Sequence, residues 1–198
     1  MREPPQNVAT DDPTLSRGTT IVEVRTPDER PMPGQEVTLG VVEQSIAKGE
    51  SRRRLAQTTD ASGKTTFALA DATTDMAFRV SLVRDGATSS APPFRVNASA
   101  GARVILYAFP AVKNVKDAQI AAQGLIYLEP RDEVIQIEGA YRLYNLGLSS
   151  WVPTDVAITL PAAFKAFNAQ KSMDDLSWDG TKTGASFHGT VPPGLHDT

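Results

Sequence analysis

The chain has 198 residues, of which 40% are hydrophobic and 22% charged, values that are ordinary for a folded globular protein and exclude a disordered or fibrous chain. The formal net charge is −3, so no overall positive field attracts nucleic acid, and we expect no nucleic-acid partner. Cysteine is absent, which excludes disulfides, thiolate nucleophiles and thiolate metal sites.

The first half of the chain is predicted to form short strands, because apolar residues recur at every second position between glycine- and proline-rich turns. Residues 1–17 lack this periodicity and are predicted to be a flexible tail. Residues 43–54 are polar and are predicted to form a loop or an irregular edge, with the basic run at 52–54 solvated. From residue 18 to 110 the spacing predicts a β-sandwich of roughly seven strands. Its predicted core comprises Ile21, Val37, Leu39, Phe67, Val80 and Val104.

Two motifs in this half suggest a family. Residues 33–39 read P-G-Q-E-V-T-L, and residues 59–67 read T-D-A-S-G-K-T-T-F. In the second motif we expect Asp60 to accept hydrogen bonds from turn amides, Gly63 to supply a positive φ, and Phe67 to enter the core. On these motifs, residues 18–110 resemble the carboxypeptidase regulatory-like, or transthyretin-like, domains. The resemblance implies a β-sandwich that serves as a spacer, assembly or accessory domain.

The second half of the chain is also predicted to be rich in strands. Residues 111–117 are predicted to be a linker, and residues 118–198 a second module with strands near 125–128 and 134–137 around a turn at 130–132. A short helix is predicted at 161–167, where Pro161 suits a first helical position. After the Pro-Pro-Gly turn at 192–194 four residues remain, so we expect an incomplete module with an unpaired edge. The predicted fold class is all-β, with two tandem β-sandwich modules of immunoglobulin- or transthyretin-like type.

No catalytic constellation is found in the sequence, and we expect neither enzymatic activity nor a metal or cofactor. The two histidines, His188 and His196, are eight residues apart, which does not fit the closely spaced pair of the iron dioxygenases that share a similar sandwich. No nucleophile elbow, zinc-protease motif or phosphate-binding loop occurs.

Two groups of residues are candidates for ligand contact. Trp151 and Trp178 are able to stack on a sugar ring if exposed, although tryptophan in a sandwich more often packs in or near the core. Asp174, Asp175 and Asp179 have the composition of a calcium loop without its spacing, which favours a solvated acidic turn.

These observations favour a non-catalytic structural or interaction module of an exported bacterial protein, at the periplasm or the cell surface. Its expected partner is another protein or a cell-surface component. A carbohydrate-binding or adhesin module is one alternative, and an accessory domain of an enzyme is another. No stretch is apolar enough to span a membrane, and residues 1–5 lack the core of a signal peptide, so we expect any export signal or anchor to lie outside this sequence.

Overall fold

The computed structural model describes residues 4–45, 49–169 and 176–197, and this part of the chain is almost entirely β-structure. It contains 17 strands and one 3-10 helix, and it has no α-helix. The all-β prediction is therefore confirmed. The chain divides into two compact units, Met1–Phe109 and Pro110–Thr198.

Two sheets form the first unit. Its strands are β1 (Val8–Asp12), β2 (Thr19–Arg25), β3 (Glu36–Ser45), β4 (Gly49–Thr58), β5 (Lys64–Ala68), β6 (Met76–Arg84), β7 (Ala87–Ser90), β8 (Phe94–Arg95) and β9 (Gly101–Tyr107). The first sheet has the order β1-β9-β2-β5, and the second has the order β4-β3-β6-β7 with β8 beside β6. Strands β2 and β9 run parallel, whereas their outer neighbours are antiparallel to them.

The two sheets share one apolar core, which gives this unit the character of a β-sandwich. Burial alternates along β2 and β6 because successive side chains point to opposite faces of a sheet. Five of the six predicted core residues are buried, namely Val37, Leu39, Phe67, Val80 and Val104. The prediction that Ile21 belongs to the core is wrong, because the inward face of β2 carries Val22 and Val24. Ile21 is half-buried on the other face.

The predicted flexible tail contains a strand. Residues 8–12 pair antiparallel with β9, from Val8 opposite Ile105 to Asp12 opposite Gly101. The Asn7 side chain reinforces this pairing, since its Nδ2 donates to the Ser90 carbonyl at 2.9 Å and its Oδ1 accepts from the Tyr107 amide at 2.7 Å. Backbone pairing holds this edge strand, with Ala9 alone of its five residues packed against the core, so hydrophobic periodicity did not reveal it.

In the segment predicted as a loop or an irregular edge at residues 43–54, the described residues belong to two paired strands. Strand β3 continues to Ser45, and β4 pairs with it along its whole length at the edge of the second sheet. The run Arg52–Arg54 lies on this exposed edge, where charged side chains discourage pairing with other chains. One of its arginines, Arg53, forms a salt bridge of 2.9 Å with Asp71.

The second unit is built from three small sheets. Its strands are β10 (Ala111–Val112), β11 (Ile120–Pro130), β12 (Ile135–Asn145), β13 (Ser150–Trp151), β14 (Ala157–Thr159), β15 (Leu176–Thr181), β16 (Gly184–Gly189) and β17 (Gly194–Asp197), and its 3-10 helix is Val115–Asp117. The sheet orders are β10-β13, β11-β12-β17 and β14-β16-β15. The core contains Leu143, Trp151, Leu176, Phe187 and Val191.

Three segments of this half differ in detail from the predictions. The segment predicted as a linker instead forms β10, which pairs with β13, and the 3-10 helix. The predicted helix at 161–167 is limited to one turn, in which the Phe164 amide donates to the Pro161 carbonyl at 2.9 Å. At the end of the Pro-Pro-Gly turn, residues 194–197 form β17, which pairs with residues 142–145 of β12. No described strand pairs with residues 135–141 on the same side, and the expected incompleteness of the module stays a prediction.

Candidate interaction surface

A long hairpin formed by β11 and β12 is the most distinctive feature of the second unit. The strands pair over their full length, from Ile120 opposite Asn145 to Pro130 opposite Ile135. The turn is closed by a hydrogen bond of 2.8 Å from the Arg131 amide to the Val134 carbonyl. Residues 121–130 and 135–140 are exposed to solvent. Because directly opposed residues share a face and successive residues alternate, the hairpin has two faces of different chemistry.

One face of the hairpin, which we name the apolar face, carries no charged side chain. It consists of Ile120, Ala122, Gly124, Ile126, Leu128 and Pro130 from β11, and of Ile135, Ile137, Gly139, Tyr141, Leu143 and Asn145 from β12. Asn145 is its one amide, and it is buried at the base, where its Nδ2 donates to the Ser149 and Val191 carbonyls at 2.8 and 2.9 Å. The Asn145 amide is thus hydrogen-bonded inside the protein and does not face solvent.

The apolar face begins in the core and ends in solvent. At its base, Leu143 is buried and Ile120 packs against the same core. Farther out, Ile126 is 59% exposed, Leu128 and Ile135 are each 65% exposed, and Ile137 is 54% exposed. A contiguous apolar patch of this kind on a folded protein usually marks an interaction site.

Tyr141 connects the core to the exposed part of this face. A Cβ placed on Gly124 would lie 2.9 Å from Tyr141 Cδ1, and one placed on Gly139 would lie 3.1 Å from Cε2 of the same ring. The ring therefore lies across both glycines, a packing that compensates for their missing side chains. It also continues a row of aromatic rings, with centroid separations of 6.1 Å to Trp178 and then 4.8 Å from Trp178 to Phe187.

The other face, which we name the polar face, carries the carboxylates Glu129 and Glu138 beside the exposed side chains of Leu125 and Tyr127. The tip carries Asp132 and Glu133. Between residues 120 and 145 there are four carboxylates and two arginines. At the tip, Arg131 forms a salt bridge of 2.8 Å with Glu129. At the base, Arg142 forms one of 2.6 Å with Asp197, which lowers the pKa of the Asp197 carboxyl. Glu138 accepts from Gln136 Nε2 at 2.8 Å.

The structure separates the residues predicted for ligand contact. Trp151 is 5% exposed, and its Nε1 donates to the Lys113 carbonyl at 3.1 Å, so its indole is not available to stack on a sugar. Trp178 is half-buried between Phe187 and Tyr141. Asp179 is exposed on β15, whereas Asp174 and Asp175 lie outside the described residues.

Sequence spacing did not reveal a serine–histidine contact on the sheet of β14, β15 and β16. Ser186 Oγ lies 2.8 Å from His188 Nε2, and the Asp179 carboxylate lies 3.8 Å from the same nitrogen. A catalytic triad requires the carboxylate on the opposite ring nitrogen, where it orients the histidine toward the serine. With both groups at Nε2, these exposed side chains form a surface cluster without that geometry. Within the described parts of the chain, no cluster of three or more acidic or histidine side chains could hold a metal ion.

Comparison with models of known protein families and with curated proteins finds no match to this chain. Among residues 4–45, 49–169 and 176–197, no helix has the length and apolar character needed to cross a membrane.

Proposed function

We propose that this chain is a non-catalytic interaction module, and that its second unit docks onto another protein through the apolar face of the β11–β12 hairpin. The observation that carries this proposal is the exposure of Ile126, Leu128, Ile135 and Ile137 on a face without charge. Full burial of such a side chain contributes about 1.5–3 kcal/mol, so covering the exposed parts of all four would contribute about 4–7 kcal/mol. Covering this face would therefore supply a substantial part of the binding free energy of a complex with micromolar affinity.

The charges at the tip of the hairpin favour a protein over a lipid bilayer as the partner. Glu129, Arg131, Asp132 and Glu133 would have to enter the bilayer ahead of the apolar residues. Each charge at the centre of a bilayer costs at least about 2.5 kcal/mol, which removes the gain from the apolar face. The excess of carboxylates also repels an anionic membrane surface, which disfavours a hairpin lying flat on it.

The first unit is proposed to act as a spacer or assembly domain, at the periplasmic or cell-surface side of an exported bacterial protein. Its motifs at residues 33–39 and 59–67 resemble those of transthyretin-like domains, which serve in this way. The absence of cysteine supports export, since no thiol is present to pair wrongly in an oxidising compartment.

The test compares two leucines that lie on the same strand but on opposite faces of it. Leu128 is 65% exposed on the apolar face, and Leu125 is 54% exposed on the polar face. A displayed library of random peptides of about ten residues, the length of a long strand, is selected against the unmodified protein. We expect the selected peptides to lose at least about tenfold in affinity for Leu128→Thr, a loss near 1.4 kcal/mol, and to bind Leu125→Thr as they bind the unmodified protein.

Two results would contradict the proposal. The first is a selection that yields no binding peptide, or peptides that bind both leucine variants equally. The second is sedimentation of the unmodified protein with phosphatidylglycerol vesicles that Leu128→Thr abolishes, because the apolar face would then bind lipid. Circular dichroism of both variants checks that the fold is retained.

A further inference from the structure

The second sheet of the first unit has one face turned away from the core, which we name the outer face. Successive residues of a strand point to opposite faces, and Leu39 and Val41 of β3 are buried in the core. Gly40, which lies between them, therefore belongs to the outer face. The register places Arg54 of β4 on one side of Gly40 and Arg79 of β6 on the other. Two arginines thus flank a position that has no side chain.

A second pair of arginines lies in a neighbouring row of the same face. Arg52 is opposite Val42, which is opposite Ala77. Ala77 is in turn opposite Arg95 of β8. Arg52 and Arg95 are exposed to solvent. Two residues along a strand span about 6.8 Å, so the two rows of arginines are about that far apart.

The outer face is positively charged, although the chain as a whole carries a net charge of −3. Along the paired strands, its charged residues are these four arginines and two carboxylates, Glu36 and Glu50. Glu50 forms a salt bridge with Arg52. In the part of the chain that the structure describes, Arg54 and Arg95 form no ion pair. The face therefore has positive charge available for an anionic partner.

The fold does not require a glycine at residue 40. Gly40 lies within β3, an interior strand of the sheet, and it does not have a positive φ. A Cβ placed on Gly40 would meet only the Arg79 carbonyl oxygen, at 3.5 Å, which is an ordinary contact. Glycine inside a strand weakens the sheet, and it often marks a site where a ligand approaches the backbone closely. The space above Gly40, between two arginines, has the character of such a site.

We propose that the outer face binds an acidic polysaccharide, with a carboxylate or sulfate group of the sugar chain seated above Gly40 between Arg54 and Arg79. A guanidinium group binds an oxyanion through two parallel hydrogen bonds, which gives both strength and orientation. A sugar chain that runs along β3 brings a further acidic group to the row of Arg52 and Arg95. This site lies in the first unit and is separate from the hairpin surface proposed to dock a protein.

Three features of the outer face favour a sugar chain over other anionic partners. The row on the far side of Gly40 from Arg52 carries the hydroxyl groups of Thr38 and Ser81, which can exchange hydrogen bonds with sugar hydroxyls. The paired strands place no aromatic side chain on this face, whereas proteins that bind single-stranded nucleic acid stack bases on aromatic rings. The space above Gly40 is recessed between longer side chains, so the flat surface of a bilayer would not fill it.

The test measures binding of a short, fluorescently labelled oligogalacturonate, which bears one carboxylate on each sugar, by fluorescence anisotropy. Its fully methyl-esterified form is the control ligand, because it has the same sugar chain without the charges. A heparin oligosaccharide, which also carries sulfate groups, is the second acidic probe. Phosphatidylglycerol vesicles and a single-stranded oligonucleotide are tested as competing anions.

The protein variants separate the outer face from overall charge. Arg54→Gln removes one charge from the outer face. Arg53→Gln is the matched control, because it removes the same charge from the next residue of β4, which lies on the opposite face and pairs with Asp71 at 2.9 Å. Gly40→Leu fills the space between the arginines, and circular dichroism checks that each variant keeps its fold.

We expect at least one acidic oligosaccharide to bind and the methyl-esterified chain not to bind. Arg54→Gln and Gly40→Leu should each lower the affinity at least about tenfold, whereas Arg53→Gln should change it less than about twofold. Should Gly40→Leu fail to fold, the comparison of the two arginine variants decides alone.

Four results would overturn the inference. Neither acidic oligosaccharide binds, or the methyl-esterified chain binds equally well. Arg53→Gln weakens binding as much as Arg54→Gln, which would indicate unspecific attraction by charge. A folded Gly40→Leu variant binds as the unmodified protein does. Vesicles or the oligonucleotide bind more tightly than the oligosaccharides and depend on Arg54, which would assign the outer face to a different anion.

Discussion

Gly63 lies in the turn between β4 and β5, with φ of +74° and backbone atoms close to the side where a side chain would project. A Cβ on Gly63 would lie 2.7 Å from the Met32 nitrogen and 2.9 Å from the Val24 oxygen. These two atoms form a hydrogen bond of 2.9 Å with each other, and the Val24 amide donates to the Gly63 carbonyl at the same distance. Gly63→Ala therefore pushes the turn away from the backbone at Val24 and Met32.

Two contributions determine how much Gly63→Ala lowers the free energy of unfolding. Holding alanine in the left-handed region costs about 1–2 kcal/mol, and weakening the hydrogen bond between Met32 and Val24 costs about 1 kcal/mol. We expect Gly63→Ala to lower the free energy of unfolding by about 2–3 kcal/mol. Gly34→Ala is the matched control, because Gly34 has φ of +70° but no atom within 4 Å of its Cβ position. Only the conformational contribution applies there, so a loss of about 1–2 kcal/mol is expected, about 1 kcal/mol less than for Gly63→Ala.

Urea unfolding followed by far-ultraviolet circular dichroism measures both losses. Both tryptophans, Trp151 and Trp178, lie in the second unit, so tryptophan emission reports that unit separately and should give the same midpoint in all three proteins. Equal losses for Gly63→Ala and Gly34→Ala would refute the steric part of this reasoning. A changed emission midpoint would show that the substitution acts beyond the first unit.

Two further predictions concern the first unit. Phe67 is 1% exposed, so Phe67→Ala should lower the free energy of unfolding by about 3–5 kcal/mol. Val83 is 68% exposed, so Val83→Ala should lower it by less than about 0.5 kcal/mol. A loss below about 0.5 kcal/mol for Phe67→Ala in the same urea experiment would exclude Phe67 from the core. The Asp60 carboxylate accepts hydrogen bonds from the Lys64 and Ser62 amides at 3.0 and 2.8 Å, which lowers the pKa of Asp60 below its ordinary value of 3.8. Because the folded-state pKa is the lower one, this stabilisation is present above pH 3.8 and is lost as the pH falls through the folded-state pKa. Asp60→Asn should therefore reduce the fall in the unfolding midpoint on acidification, and an unchanged fall would contradict the assignment.

Local chemistry made the turn at residues 59–67 predictable. The structure confirms the role expected for each of three residues: Asp60 accepts from turn amides, Gly63 has a positive φ, and Phe67 is buried. All three roles depend on contacts within a few residues or on a strong apolar preference. The choice between Ile21 and Val22 was not predictable in the same way, because an apolar run identifies a strand but not which of its faces meets the core.

The hairpin was only partly predictable. Alternating apolar residues indicated strands on both sides of a turn near residues 130–132, and the structure contains them. The same alternation ordinarily indicates burial, so the exposure of Leu128 and Ile137 was not predictable from it. That exposure depends on how far the rest of the unit reaches along the hairpin. Tryptophan content suggested a sugar platform, but Trp151 is part of the core.

The sheet order β1-β9-β2-β5 gives the first unit two different responses to a force that pulls its ends apart. The chain enters β1 at Val8, opposite Ile105, and leaves β9 at Tyr107, so the force acts at one end of this antiparallel ladder and its hydrogen bonds break in turn. In the parallel pair of β2 and β9, the force acts at Thr20 and at Tyr107, which lie at opposite ends, so all the hydrogen bonds are loaded together. The outer strand therefore peels away at a low force, while the inner pair resists as a mechanical clamp.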